Sequence, residues 1–219
     1  MKSKLVTPLA VKTDPPRGRR LKGDDRRDEI LSAAASLYIS FGPSKTTTRQ
    51  IAQAVGISQP SLYAHFPTKE ALSQALAVRA FALLEARMEA FSALQETPHH
   101  HLASLIKGYI AFALEESAAY KIAFMVDLAL DHDQNSDLQK LAGLPAFGIF
   151  REKIEALQAQ GFVRAGPTDM IAQSIWAAMH GLCALLLARP LFPWTEKDAL
   201  INFHTDLIIQ GARRKQSRI

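Results

Sequence analysis

The sequence predicts an all-α protein in which a small helical head leads into a larger helical body. Three observations predict it. Apolar residues recur at three- and four-residue steps through most of the 219 residues, and no stretch shows the strict alternation of a half-buried strand. Breaker pairs and polar clusters such as Gly42-Pro43, "HDQNSD" and Gly166-Pro167 separate the periodic segments. Residues suited to capping helix N-termini stand at the start of several segments.

The first ordered element is expected to begin near Asp24 or Asp25, with Ile30, Ala34, Leu37 and Phe41 as its apolar stripe and Gly42-Pro43 as its stop. A second helix, 46–55, opens in "TTTRQ", where Thr47 and Gln50 have the spacing of a capping box. Ile51, Ala52 and Val55 form its inner face, and Gly56 supplies the turn. Ser58 caps a helix of only about two turns that ends by Pro67, and Thr68 caps a long fourth helix. Beyond Pro98 the pattern predicts helices near 100–116, 118–131, 138–160, 168–189 and 195–213. The expected divisions are a basic, disordered arm (1–23), a helix-turn-helix head (24–70) and a helical body (71–219).

Composition narrows the class. The chain is 48% hydrophobic and 21% charged, as soluble globular proteins are. Cys183 is the single cysteine, so no intramolecular disulfide forms, in keeping with a reducing cytoplasm. Residues 1–27 lack the apolar core of a secretion signal. The longest apolar run, "IWAAMHGLCALLLARPLF", is interrupted by His180, Arg189 and Pro190, and reads as a buried helix rather than a membrane span. The net charge of +5 is unevenly placed: residues 1–27 carry a net +6 and the other 192 residues sum to −1. Such an arm suits nucleic-acid backbone contact, and equally a solvated leader.

Helices 46–55 and 58–66, joined at Gly56, have helix-turn-helix spacing, and small Ala52 allows a close crossing. Leu62 and Phe66 point inward, leaving Gln59, Pro60, Ser61, Tyr63, Ala64 and His65 on the outer faces of a helix that fits a major groove. Gln is chemically matched to an adenine edge and Arg49 to guanine, while hydroxyls, His and Lys suit phosphates. "TTTRQIAQAVGISQPSLYAHFPTKEAL" resembles the DNA-binding head of the TetR family of bacterial regulators: Thr48, Ile51, Ala52, Gly56, Ile57, Ser58, Leu62, Tyr63, His65, Phe66, Lys69 and Leu72 carry the likeness. The resemblance implies a double-stranded DNA operator, base reading by Arg49, Gln59 and Pro60, and phosphate contacts by Thr48, Ser61, Tyr63, His65 and Lys69. Ala64 stands where a well-matched member of the family carries a bulky aromatic, so no operator sequence follows. Each residue also has a plainer role: Tyr63 as packing, His65 as a local cap, Lys69 as a solvated side chain, Arg49 as an ion-pair partner.

For the body the resemblance implies a homodimer with a small-molecule effector. Ala177, Gly181, Ala184 and Ala188 make a small-residue stripe fit for close helix approach, with 195–213 as a second interface helix or with packing inside one chain. "WAAMHG" is similar to the W-x-x-x-H-G signature of the WHG type of TetR C-terminal domain, and Trp176 and His180 share a helix face. Tyr109, Phe112, Phe124, Met125, Phe147, Phe150, Trp176, Met179 and His180 are the candidate lining of an apolar pocket for a hydrophobic or aromatic ligand; the alternative is ordinary core, with His180 hydrogen-bonded inside it. His99, His100 and His101 are consecutive and share no helix face, so no metal is expected there. "DHDQNSD" lacks the Gly and Glu of a calcium loop.

No nucleophile elbow, P-loop, dinucleotide fingerprint or metal-ligand set occurs, so an enzyme is not expected, nor a cofactor. The reading is a cytoplasmic, nucleoid-associated, dimeric repressor released from a near-palindromic operator by a ligand; the alternative is an effector-less DNA-binding scaffold that recruits a protein partner. The head itself is nearly neutral, so the arm is the expected source of counterion release. Deleting residues 1–23 should lower DNA affinity and flatten its dependence on salt; an unchanged slope of log affinity against log salt excludes that role.

Overall fold

The computed structural model describes residues 23–92, 97–128 and 143–214. Nine helices make up these residues, with no named strand among them. Helix α1 (Gly23–Phe41), α2 (Thr48–Val55) and α3 (Gln59–His65) form the head, and α4 (Lys69–Ser92) leaves it for the body. The body comprises α5 (Pro98–Glu115), α6 (Ser117–Phe124), α7 (Leu144–Ala159), α8 (Thr168–Ala188) and α9 (Lys197–Ala212).

The buried stripe of α1 is Ile30, Leu31, Ala34, Ala35 and Tyr38. Phe41, expected on it, is 61% exposed. It is the last residue of the helix, beyond the turn that Tyr38 anchors, and Gly42 at φ 82 then redirects the chain. Tyr38 Oη meets Ser73 Oγ at 3.1 Å, which pins α1 to α4. Buried Thr46 donates its hydroxyl to the Gly42 carbonyl at 2.9 Å, shaping the α1–α2 connection.

Both halves of the capping box form on α2: Thr47 Oγ1 accepts the Gln50 amide, and the Gln50 side chain accepts the Thr47 amide. At the other end Gly56 lies at φ 73, ψ 32, and the amides of Gly56 and Ile57 close on the carbonyls of Gln53 and Ala52. Those two bonds satisfy helix-end carbonyls that would otherwise be orphaned. Ser58 Oγ then accepts the Ser61 amide, and Pro60 sits in the first turn of α3 where its missing N–H costs nothing. Ile51, Ala52, Leu62 and Phe66 are buried together against α1 and α4.

The core is continuous from head to body because α4 belongs to both: Leu72, Leu76, Ala80, Leu84 and Met88 are buried along its length. It packs against α5, α6 and α7, while α1 also touches α6. Arg79 Nη1 donates to the Asp28 carbonyl and Ser32 Oγ of α1, and Arg87 pairs with Glu115 and Glu116 at the α5–α6 corner.

Two boundaries in the body depart from expectation. Helix α6 ends at Phe124 instead of running to 131, because the amides of Met125 and Val126 both turn back to the Lys121 carbonyl. Helix α7 begins at Leu144, and residues 138–142, like "DHDQNSD", fall outside the described residues. An unexpected pairing closes the far end: the Arg164 amide donates to the Ala212 carbonyl and the Arg214 amide to the Phe162 carbonyl. Helix α8 is long and apolar enough to cross a membrane by length and composition. Here Ala172, Ile175, Met179, Leu182, Cys183 and Leu186 are buried on one face of it, and it packs against α5 and α7.

Gly56 has no atom within 4 Å of where a Cβ would sit, so its requirement is purely conformational. Gly56→Ala should therefore lower stability by about 1–2 kcal/mol without altering the fold, measured by urea unfolding and far-UV circular dichroism.

Candidate nucleic-acid interface and ligand cavity

Helix α3 presents Gln59, Pro60, Tyr63 and Ala64 as exposed residues, with Ser61 and His65 half-buried beside them. Arg49 is exposed on α2 and has no hydrogen bond or ion pair among the described residues. Thr48, expected to contact phosphate, is instead buried. Its Oγ1 accepts Gln59 Nε2 at 3.0 Å and lies 3.2 Å from Tyr63 Oη. One hydroxyl thus holds two side chains of α3 against the start of α2. Lys69 is also held internally, with Nζ donating to the Pro43 carbonyl at 2.6 Å.

The other end of α3 is gripped by a residue that the charge pattern groups with the basic arm. Arg27 lies in α1, donates to the His65 carbonyl at 3.1 Å, and places its guanidinium 4.2 Å from the Phe66 ring centroid. The hydrogen bond occupies a carbonyl at the C-terminal end of α3, where a cation is favoured, and the guanidinium adds a cation–π contact with the Phe66 ring. Arg26 likewise belongs to α1 and pairs with Glu29 at 2.6 Å. Periodicity carries no signal for the Arg27–Phe66 contact, since it joins elements 39 positions apart. The face as built offers an amide, a phenol and an imidazole on a short, doubly fixed helix, with the Arg49 guanidinium on α2, a donor set that suits base edges and phosphates.

A cavity of about 240 Å³ lies in the body. Tyr109, Phe124, Phe147, Phe150, Trp176 and Met179, all expected there, line it. Helix α4 adds Phe81, Leu84 and Met88, and α7 adds Ala146. Gly143 approaches Phe81 so closely that a Cβ would fall 2.9 Å from its ring. The α4 residues carried no distinguishing mark in the sequence, because the same apolar types serve as core along the rest of that helix.

Three expected lining residues are elsewhere. Phe112 is buried away from the cavity and packs its ring 6.5 Å from that of Tyr120. His180 stands behind the wall, with Nδ1 2.7 Å from Tyr120 Oη and 3.2 Å from Tyr109 Oη. It turns inward because two phenols on α5 and α6 supply bonds that an apolar cavity does not. Met125, also grouped with the pocket residues, is 40% exposed just past the end of α6. Trp176 Nε1 donates to Tyr109 Oη at 3.1 Å, completing a Trp–Tyr–His–Tyr cluster. Burial pushes both phenols far above the ordinary tyrosine range and the Cys183 thiol up to about 12, so all three are neutral. Burial also lowers His180 below its ordinary value, which leaves the imidazole neutral.

On α8, Ala177 and Ala188 are exposed and Gly181 and Ala184 half-buried. Beside this stripe stand exposed Met170 and Leu185, with Phe203 and Leu207 on α9. A Cβ placed on Gly181 or Gly211 would meet nothing within 4 Å, so this face is open. Among the described residues no three His, Cys, Asp or Glu side chains gather as a metal would require. His99 packs its ring 6.3 Å from Phe162, while His101 keeps a buried Nε2 without a partner and a pKa lowered by burial and then by Lys153.

Comparison with known proteins gives both halves a counterpart. Residues 30–76 match the sequence profile described as "Bacterial regulatory proteins, tetR family", and residues 102–207 that of "Tetracyclin repressor-like, C-terminal domain". The HTH-type transcriptional regulator RutR of Escherichia coli is 36% identical over 115 residues, covering 52% of this chain and 51% of RutR. The HTH-type transcriptional repressor KstR2 of Rhodococcus jostii is 43% identical over 60 residues, covering 27% of this chain and 29% of KstR2. The chain thus spans about half the length, or less, of the curated relatives it matches. Among solved structures, the fatty acid degradation regulator FadR from Bacillus halodurans superposes with a TM-score of 0.73 at 16% identity, over 90% of this chain and 100% of that one. The TetR family transcriptional regulator PfmR from Thermus thermophilus does so at 0.70 and 20%, over 86% and 98%. At those identities the likeness is one of fold.

The neutral histidines make stability depend on pH. His180 and His101 both lie below their ordinary pKa of 6.5, so the unfolded chain binds more protons than the folded one as pH falls through that value. Their contribution is fully present above pH 6.5 and is lost on acidification toward their lowered folded values. His180→Gln should flatten this decline, measured as urea midpoints between pH 7.5 and 5.

Proposed function

The chain belongs to the tetR family of bacterial regulatory proteins, DNA-binding transcription regulators, and on that premise we propose that it is a homodimeric cytoplasmic repressor released from its operator by a small apolar ligand. The observation that carries the DNA half is the exposed row Gln59, Pro60 and Tyr63 on a seven-residue helix held at both ends by Ser58 and Arg27. In this reading residues 24–70 are the DNA-binding domain and 71–219 the effector and dimer domain. Arg49, Gln59 and Pro60 read bases; Ser61, Tyr63, His65 and Lys69 contact phosphates. Thr48 takes a different part from the one its resemblance implies: it positions Gln59 and Tyr63. Gln59 leaves Thr48, and Lys69 leaves Pro43, when the groove supplies better partners.

Two copies are needed because one short helix covers too little DNA to specify a site. The open faces of α8 and α9, with Leu185, Phe203 and Leu207 exposed, are the apolar surface on which a second copy would pack. The two heads then meet successive major grooves roughly 35 Å apart. The body acts as a sensor rather than an enzyme. Helix α4 supports the link between ligand and DNA: Phe81, Leu84 and Met88 wall the cavity, and the same helix runs to Lys69 in the head. A ligand that binds more tightly to a state with displaced heads shifts the population away from DNA.

With an operator selected from random DNA, Gln59→Ala should cost about 1–3 kcal/mol of affinity and relax preference at one base position of each half-site. Tyr63→Ala should weaken binding to all sequences alike, and both variants should remain dimers in sedimentation. Undiminished operator binding by both variants would remove α3 from the DNA groove.

A further inference from the structure

We propose that the cavity in the body takes an uncharged one- or two-ring aromatic molecule with a single neutral oxygen function that bonds Tyr109 Oη. The inference rests on the ligand-release reading above and narrows the class of ligand.

Size sets the first limit. An apolar cavity of about 150 Å³ accommodates benzene. The 240 Å³ here leaves room for roughly one more fused ring. Charge sets the second. Among the described residues no Lys, Arg, Asp or Glu lines the cavity, so none of them would balance a carboxylate or ammonium group stripped of water there.

The walls favour rings over alkyl chains. Phe81 and Phe124 meet edge to face at 5.5 Å, and Trp176 is tilted against Phe124 and Phe147 at 6.1 and 6.0 Å. Both faces and edges are therefore presented, and a flat guest finds an edge-to-face or offset partner whichever way it lies. A flexible chain of equal volume loses rotational freedom that a rigid ring never had.

The polar anchor follows from counting bonds. A phenol oxygen has one donor and two acceptor positions. Trp176 Nε1–H fills one acceptor position of Tyr109 at 3.1 Å. His180 Nδ1 has one bonding position, and Tyr120 at 2.7 Å claims it ahead of Tyr109 at 3.2 Å. Even with a bond from Tyr109 into the Tyr120–His180 pair, one position on Tyr109 is left over. Tyr109 is on the cavity wall, whereas Tyr120 and His180 are not among the lining residues. A hydroxyl on the ligand, donating to Tyr109 Oη, completes it. Burial keeps this phenol un-ionised, in keeping with a neutral guest.

The test is calorimetric titration of the full chain at pH 7.5 with 1-naphthol, naphthalene, 1-naphthoate and 1-decanol, alongside operator affinity with and without 1-naphthol. The expected order places 1-naphthol at least about tenfold tighter than the other three, with its advantage over naphthalene lost in Tyr109→Phe. Equal or tighter binding of 1-naphthoate or 1-decanol, or no binding of any probe, overturns the ligand class and leaves release by another compound open. Binding of 1-naphthol that leaves operator affinity unchanged upholds the class and overturns the ligand-release reading. The ranking on the natural chain stands without the variant; a folded Tyr109→Phe that keeps the naphthol advantage overturns the role of Tyr109.

Discussion

One helix is buried at both ends of the molecule, and the rest is organised around that constraint. Helix α4 places Leu72 and Leu76 under the head and Leu84 and Met88 in the body, with no exposed linker between. The Tyr38–Ser73 hydrogen bond and the Arg79 contacts to Asp28 and Ser32 fasten the head side. Arg87 fastens the body side to Glu115 and Glu116. Close-packed interiors deform little, so a change in the cavity wall formed by Phe81 and Leu84 has a rigid element through which to reach the head. The side of α1 that packs on α6 gives a second contact across the same junction.

Within the head, local chemistry and long-range contacts do separate work. The Thr47–Gln50 box, Gly56 and the Ser58 cap are each satisfied within a few residues, so the two helices can be read almost letter by letter. The angle and register of α3 come from farther away: Thr48 reaches Gln59 and Tyr63 from across the turn, and Arg27 reaches Phe66 from α1. These contacts order flexible side chains before any partner arrives, which lowers the entropic cost of a later encounter.

The body distributes polarity sparingly. Tyr109, Tyr120, Trp176 and His180 are gathered into one mutually bonded cluster, which leaves the neighbouring cavity almost wholly apolar. An imidazole so enclosed offsets its burial by staying neutral. The cluster joins α5, α6 and α8, three of the helices around the cavity, so the wall is tied together by directional bonds as well as by packing.

The sequence by itself determined the helical class, the helix-turn-helix with its caps, the inward Leu62 and Phe66, and six of the residues around the cavity, because each is written in local spacing or in residue type. Helix ends in the body were less legible: α6 stops at Phe124 through backbone bonds to Lys121, although apolar residues continue beyond it. Only the tertiary structure decided that Thr48 is buried, that Phe41 is exposed, that Arg27 grips α3 and that Phe112 and His180 stand outside the cavity. Helical periodicity says which face of an element is apolar, but not which neighbour that face meets. Core and cavity use the same side chains, and which of them border empty space depends on how several helices cross.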